Sequence, residues 1–486
     1  MLLSWSQILD DLRRADLLIT APANGPDPGG IGVDSRAIEP GMLYVAVRGS
    51  QADGHHFVTG ALRRGALAAV VETPQQVEVP QVVVRDSRRA ALVLAAAWYG
   101  NPGRYLSLIG VTGTNGKTTT TGLIRHLLNE RETAGSIGTL GAFDGCGRSI
   151  PSTAGSLTTP GPVDLQATLA ALIRAGTTHV VMETSSHSLD QGRLDGLAFS
   201  AAVYTNLTRD HLDYHGTMES YLGSKLRLST LLAGGGVEVV NLDEDAWRAL
   251  SPHTPRVTFG LRPEADVRAG DVVLTAGGSR FQMQGRFGTA DISLPLLGDF
   301  NVANGLAAAA SALALGEPLN RVVERLATSP QVPGRMERIS ESPCVVIRDY
   351  AHTPDALERA LTSLKPLTSG RVIVVFGCGG DRDRGKRPLM GQIAVQWSDL
   401  AIVTSDNPRT ENPDAIIDDI ERGMSGTQHI RITDRLAAIH AALGKARPGD
   451  TVLLAGKGHE TYQVIGTEKI HFDEREIVQK AVSATR

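Results

Sequence analysis

The chain has 486 residues, with 48 Lys and Arg against 52 Asp and Glu, a formal charge of −4. At roughly 100–200 residues per domain, that length implies two to four domains, and a composition 42% hydrophobic and 21% charged is that of an ordinary globular protein. The charge balance excludes an acidic disordered chain and a nucleic-acid binder driven by bulk positive charge.

The N-terminal stretch MLLSWSQILDDLRR lacks a cationic region followed by an apolar core, so it does not read as a secretory signal. The three cysteines, Cys146, Cys344 and Cys378, have no CxxC or metal-ligand spacing. They exclude a disulfide framework and point to a reducing, cytoplasmic compartment. Polar turns at Asp34-Ser35-Arg36 and Gly49–His55 follow apolar runs, and turn formation and binding are equally open there.

Apolar, β-rich runs recur down the chain: Gln81–Val84, Ser107–Val111, His179–Met182, Val237–Asn241, Val345–Ile347, Val372–Phe376, Ala401–Thr404 and Thr451–Ala455. Helical patterns such as Asp164–Ala175 and Ala356–Leu364 lie between them. Short apolar strands alternating with helices predict mostly parallel sheets of an α/β protein. The Arg268–Leu296 segment alternates and predicts two antiparallel strands decorating the middle of the chain. The Ala-rich run Gly305–Gly316 is shorter than the roughly 20 residues that span a bilayer and predicts a buried helix. Breaks at Asn101-Pro102-Gly103 and Pro330–Gly334 divide the chain into three domains at about 1–102, 103–334 and 335–486.

The sharpest local signal is LIGVTGTNGKTTTT, Leu108–Thr121. A buried strand runs into Gly113-Thr114-Asn115-Gly116-Lys117-Thr118-Thr119 and a helix begins. Glycines let successive N–H groups face an anion, and the helix N-terminus adds its dipole. Lys117 suits the β- and γ-phosphates of ATP, and the Thr118 hydroxyl suits Mg²⁺. The spacing departs from the strict pattern, because Val111 stands where a glycine is expected.

Glu183 closes a strand and is a candidate Mg²⁺ ligand, against the plainer reading of a solvated strand-end acid. His211 lies in the polar run Asn206–Gly216 and is as much a loop hydrogen-bonder as a ligand. Lys225 on its helical pattern reads as a solvated face.

In the C-terminal third, glycines and charges gather after successive strands, at Asp349–Pro354, Gly377–Arg387, Asp406–Arg409 and Gly456–Glu460. Arg382, Arg384, Lys386, Arg387, Arg409 and Lys457 suit an anionic substrate, arginine because its fork pairs with a carboxylate bidentately.

Read in order, VDSRAIEPGMLYVAVRGSQADGHHF, GVTGTNGKTTT, TTPGPVDLQ, METSSHSLDQGR, NLTRDHLDYHG, GDFNVANGLAAA, PGRME, DYAHTPDAL, GCGGDRDRGKRPLM, SDNPR and GKGHETYQ resemble the Mur ligase family of peptidoglycan synthesis over nearly the whole chain. The nearest likeness is to the branch that adds the third amino acid to UDP-N-acetylmuramoyl-L-alanyl-D-glutamate. The resemblance implies a cytoplasmic enzyme of three α/β domains: an N-terminal UDP-binding domain, a central P-loop ATPase domain and a C-terminal Rossmann-like domain.

By position, it implies that Val33, Ser35, Ser50, Gln51 and Ala52 meet the UDP-sugar, and that Thr158, Thr159, Ser185, Gln191 and Arg193 hold the muramoyl-dipeptide. Gly113 to Thr119 would bind ATP phosphates, with Asn301, Asn304, Arg335, Asp349 and His352 facing the nucleotide. Lys117, Glu183, His211 and Lys225 become the catalytic set. Mg²⁺ is expected at Thr118, Glu183, His211 and Lys225, the lysine as its N-carboxylated form. Leu157 departs from relatives that carry Asn there.

DNPR resembles the version that takes meso-2,6-diaminopimelate, so Arg387, Asp406, Asn407, Pro408, Arg409, Gly456 and Glu460 are expected around that amino acid. A lysine would leave a buried arginine without its carboxylate, at a cost of several kcal/mol (roughly 3–5). The implied partners are the UDP-linked dipeptide, meso-diaminopimelate and other cell-wall synthesis enzymes, with no nucleic acid and no membrane insertion. The rival readings are the lysine-adding ligase, a folate polyglutamate ligase, and a non-catalytic ATP-binding scaffold.

Overall fold

Strands that are apolar along their whole length must be covered on both faces, and that condition shapes both halves of the molecule. The computed structural model describes residues 3–49, 52–151, 157–424, 426 and 428–484. Among the UDP-sugar candidates, Ser50 and Gln51 lie outside the described residues. The chain forms two compact units, Met1–Val267 with Leu306–Pro318, and Arg268–Gly305 with Leu319–Arg486.

The first unit holds two sheets. The smaller orders Leu18–Thr20, Gln81–Val84, Ala68–Val71, Met42–Val45 and Gly30–Gly32. It is parallel except for the antiparallel edge Leu18–Thr20. Successive side chains point to opposite faces. Leu43 and Val45 therefore pack with helices Trp5–Arg14 and Ser87–Trp98, while Tyr44 and Ala46 pack with Val58–Arg63.

In the larger sheet, the parallel strand Ser107–Thr112 lies between His179–Glu183 and Phe199–Tyr204. Beyond Phe199–Tyr204 come Leu232–Asn241 and Arg256–Gly260, and beyond His179–Glu183 comes Ala134–Gly138, all parallel. Glu183 and Val203 both pair with Val111. The three strands thus end level, and their loops emerge together at the carboxyl edge where α/β sheets bind ligands. Val111 itself is a buried strand residue, so the glycine-dependent part of the loop starts only at Gly113.

The second unit orders Glu337–Ser340, Val345–Asp349, Thr451–Ala455, Val372–Phe376, Leu400–Val403 and Ile430–Arg431. It is parallel except for its first pair. Val374 and Phe376 face helices Pro354–Leu364, Lys386–Trp397 and Pro413–Glu421, while Ile373 and Val375 face Arg435–Lys445 and Glu474–Ala484.

Two expectations change. The Arg268–Leu296 segment folds as three strands, not two: Val267–Thr275, Gly278–Gly285 and Gly288–Leu294. Positive φ at Gly278, Gly285 and Gly288 permits tight reversals that divide the alternating pattern twice. Lys225, which reads as solvated, is 1% exposed. The Ala-rich run is the buried helix Phe300–Ala314. The cysteines are unpaired, and no helix of the described residues is long and apolar enough to cross a membrane.

Candidate active site

The phosphate loop owes its shape to two glycines and to the neighbouring strand's loop. Gly116 has φ +83° and precedes helix Lys117–Leu128. Gly113 has φ +146°, and a Cβ there would lie 1.9 Å from Thr205 Oγ1. Asn206 receives the Thr114 N–H on its carbonyl and the Asn115 N–H on its side-chain oxygen, both at 2.8 Å. Thr205 Oγ1 donates to the Asn115 carbonyl at 2.7 Å. The sequence places Asn206 only in a polar run; its part in shaping the loop depends on the adjacency of the two strands.

Two ammonium groups meet one carbonyl at this edge. Lys117 Nζ donates to the Gly113 and Thr114 carbonyls at 3.0 and 2.8 Å. Lys225 Nζ donates to the same Gly113 oxygen at 2.7 Å and lies 4.4 Å from the Tyr221 ring centroid. Burial, and then the Lys117 charge, hold the Lys225 pKa well below the ordinary lysine value. A buried amine that gives up its proton readily has the lone pair that addition to CO₂ needs.

Glu183 is buried and accepts the Thr139 N–H at 2.9 Å, the Thr139 hydroxyl at 3.0 Å and the Thr118 hydroxyl at 3.1 Å. A Cβ at Gly138 would lie 2.3 Å from its Oε1, so that glycine makes room for the carboxylate. No local sequence signal marks Thr139, because its part arises only when strands Ala134–Gly138 and His179–Glu183 pair. A buried carboxylate held by hydroxyls and an amide is an oxygen-rich donor set of the kind Mg²⁺ takes. Among the described residues no group of three or more His, Cys, Asp or Glu could hold a metal ion. A magnesium ion here would therefore draw its remaining ligands from phosphates and water.

His211 sits at φ +53° in the left-handed region. Its ring is 4.8 Å from His187 and 6.2 Å from Tyr221. Burial lowers its pKa, with the Lys117 and Lys225 charges adding to the effect and Asp210 opposing it, which favours the neutral imidazole that a metal requires. His187 is pushed down to about 4 by burial and by His211 and His215.

The dipeptide candidates form one connected group. Thr159 Oγ1 donates to the Glu183 carbonyl at 2.8 Å and receives the Ser185 N–H at 3.2 Å. Arg193 donates to the Thr159 carbonyl at 3.0 Å and to Gln191 Oε1 at 2.6 and 2.9 Å. Thr158 Oγ1 lies within hydrogen-bond distance of the Thr139 hydroxyl, at 3.2 Å. Leu157 beside it is exposed. Of the UDP-sugar candidates, Val33 packs at the rim of the small sheet's core and Ala52 is exposed. Ser35 lies in a turn closed by Asp34, which accepts from Arg36.

In the second unit, Asn304 donates to Asn301, whose own amide donates to the Leu297 carbonyl. The Arg335 guanidinium lies 4.8 Å from the Tyr350 ring centroid. Burial lifts the Asp349 pKa to about 6. Lys386 donates to the His352 carbonyl at 2.8 Å.

The amino-acid candidates divide differently from the expectation. Arg387 is 1% exposed, and its guanidinium pairs with Glu411 at 2.8 Å and Asp419 at 2.9 Å. It already holds protein carboxylates. Arg382 and Arg409 form no ion pair among the described residues. They border Gly379, where a Cβ would lie 2.8 Å from Arg409 Nη1 and 3.8 Å from Arg382 Cγ. Lys457 is wholly buried, contacting Asp406, Asn407 and Glu460, and pockets its charge inside the protein.

Glu411 also receives the Asp381 N–H and Arg384, so it ties the 377–387 loop to the 406–411 loop. Its pKa falls from 4.5 to about 2, first through the Arg387 hydrogen bonds and then the Asp381 N–H. A depressed carboxylate stabilises the fold above its unfolded pKa, and that stability is lost as pH falls through the folded value. Glu411→Gln is therefore expected to lower the urea midpoint at pH 6, with the deficit shrinking between pH 4.5 and about 2. A deficit independent of pH would reject the ion-pair account.

Comparison with known proteins gives a consistent match. Residues 29–99 match the Mur ligase family catalytic domain, 111–312 the Mur ligase middle domain, and 334–458 the Mur ligase glutamate ligase domain. UDP-N-acetylmuramoyl-L-alanyl-D-glutamate--2,6-diaminopimelate ligase from Geobacillus kaustophilus is 46% identical over 469 residues, covering 94% of this chain and 95% of its own. The protein of the same name from Geobacillus thermodenitrificans is 47% identical over 474 residues, covering 95% and 96%. A solved structure of a ligase of that name superposes with a TM-score of 0.67 at 36% identity, covering 100% of this chain and 99% of its own. Folylpolyglutamate synthase from Mycobacterium tuberculosis, at 19% identity and TM-score 0.63 over 75% of this chain and 92% of its own, shares the fold.

Proposed function

The chain belongs to the Mur ligase family, and from that premise we propose that it joins meso-diaminopimelate to the D-Glu γ-carboxylate of UDP-N-acetylmuramoyl-L-alanyl-D-glutamate at the expense of ATP. It is an ATP-dependent acid–amino-acid ligase of cytoplasmic peptidoglycan precursor synthesis. We assign residues 1–102 to the UDP-sugar, 103–334 to ATP and 335–486 to the incoming amino acid.

The observation that carries the chemistry is the meeting of Lys117, Lys225, Thr118 and Glu183 at one sheet edge. A carboxylate is a poor electrophile. Its attack on the ATP γ-phosphorus releases ADP and gives an acyl phosphate. The diaminopimelate amine then adds to the acyl carbon, and the tetrahedral adduct expels phosphate to leave the amide. Lys117 meets the charge of the transferring phosphoryl group. Gln191, Arg193, Thr158, Thr159 and Ser185 hold the dipeptide so that its γ-carboxylate faces that phosphorus. The UDP end falls to Val33, Ser35, Ser50, Gln51 and Ala52. Asn301, Asn304, Arg335, Asp349 and His352 are assigned to the nucleotide.

Magnesium, held by Thr118, Glu183 and His211, with N-carboxylated Lys225 on a second ion, would neutralise the phosphates. As an ammonium Lys225 can only donate. Addition of its neutral amine to CO₂, with loss of a proton, converts it to a carboxylate that can ligate.

For the amino acid, Arg409 takes the distal carboxylate that lysine lacks, and the proximal one passes from Arg387 to Arg382, since Arg387 is already neutralised. Gly456 and Glu460 take the distal ammonium. Arg409→Ala is expected to lower kcat/KM for diaminopimelate by roughly 30-fold or more, the effect of removing one partner of a desolvated charge pair (about 2–5 kcal/mol). The value for lysine should barely move. The deciding assay is phosphate release and product mass with the UDP-linked dipeptide and each amino acid in turn. Preferential use of lysine, or turnover without the uridine nucleotide, would overturn the reading.

A further inference from the structure

The amino-acid pocket contains a buried cation that no substrate contact accounts for. Lys457 is 0% exposed, and its three ammonium protons face three acceptors: Asn407 Oδ1 at 3.0 Å, Glu460 Oε2 at 3.2 Å and Asp406 Oδ1 at 3.5 Å. These acceptors come from two loops after different strands, Leu400–Val403 and Thr451–Ala455. The Asn407 amide is committed as well. Its oxygen also accepts the Val464 N–H at 2.9 Å, and its nitrogen donates to Glu460 Oε2 at 2.9 Å. Gly456, at φ +113°, lets the Asp406 carboxylate approach, since a Cβ there would lie 2.6 Å from Asp406 Oδ2.

Two consequences follow. Among the described residues, the hydrogen bonds to the Glu460 carboxylate fall on Oε2, which leaves Oε1 to face a ligand. Asp406, Glu460 and Lys457 together carry a net charge of −1, the complement of one ammonium.

Building on the diaminopimelate reading, we propose that Lys457 is the positioning residue of the amino-acid pocket: it joins the 406–409 and 456–460 loops, aims Glu460 Oε1 at the distal ammonium, and sets a pocket charge that admits a zwitterionic end. Diaminopimelate ends in an ammonium and a carboxylate, lysine in an ammonium alone. Removing the Lys457 charge makes the pocket more negative, which repels the extra carboxylate and favours the bare cation.

The test is steady-state kinetics of the full chain with ATP, the UDP-linked dipeptide, and either amino acid. Lys457→Met is expected to raise KM for diaminopimelate at least about tenfold and leave the other two KM values within about twofold. The ratio of kcat/KM for diaminopimelate over lysine should fall at least about tenfold. An unchanged ratio, or an equal rise of all three KM values, would overturn the proposal.

Should that variant not fold, Lys457→Met/Asp406→Asn restores the net charge without an excess buried carboxylate. Its diaminopimelate KM should stay raised, because Glu460 and Asn407 still lack their common donor, and a KM equal to that of the unsubstituted enzyme would overturn the proposal. Unsubstituted protein that forms no tripeptide with either amino acid overturns the functional reading beneath it. Normal turnover with an indifferent Lys457 overturns the positioning role alone.

Discussion

Lys225→Ala is expected to reduce kcat by about a thousandfold or more, roughly 4 kcal/mol of transition-state stabilisation, with part of the rate returning when a short-chain carboxylic acid is added. The lysine is 1% exposed, donates to the Gly113 carbonyl, faces the Tyr221 ring, and has its charged form disfavoured by burial and by Lys117. A permanent ammonium in that position would crowd two cations onto the Gly113 oxygen. The proposed conversion to a carbamate would remove that repulsion and supply oxygens beside the phosphate loop. The added acid would occupy the space left by the side chain and restore an anionic donor. Full activity of the alanine variant, or loss that no acid relieves at any concentration, would refute the carbamate role.

Lys117→Ala should be comparably severe, with phosphate release falling about a thousandfold while the fold persists. Lys117 begins helix Lys117–Leu128, and its ammonium bonds the Gly113 and Thr114 carbonyls, so it closes the loop and, on the proposed mechanism, would offer its charge to the phosphates. Losing an electrostatic stabiliser of a developing charge commonly costs about 10²–10³ in rate, and more where the same group shapes the binding loop. Helix stability should be little altered, because alanine is a good helix former. Circular dichroism and nucleotide binding measured beside turnover separate these effects. Phosphate release at the original rate would remove Lys117 from the mechanism.

The two lysines illustrate how differently one residue type reads in a sequence. Lys117 is legible because its neighbours form a contiguous motif whose backbone geometry follows from local glycines. Lys225 is not, since SYLGSKLRLSTLL has no local feature that separates a buried lysine from a solvated one. Only likeness to a family raised it. Arg387 and Arg382 show the converse. They are five residues apart, one in a loop and one in the first turn of helix Lys386–Trp397, and what separates them is Glu411 and Asp419, which bind Arg387 from 24 and 32 residues away along the chain.

By itself the sequence determined the α/β class, the strand–loop–helix of the phosphate site, the unpaired cysteines and the buried alanine helix. Each of these depends on periodicity or on residues within a few positions of one another. The tertiary structure alone decided which side chains are free to act. Thr205 and Asn206 shape the phosphate loop, Thr139 and Gly138 seat Glu183, and Lys457 links Asp406, Asn407 and Glu460. Those contacts join segments brought level by strand register, and burial changes the charge a group can carry. Neither register nor burial is encoded in any short stretch of residues.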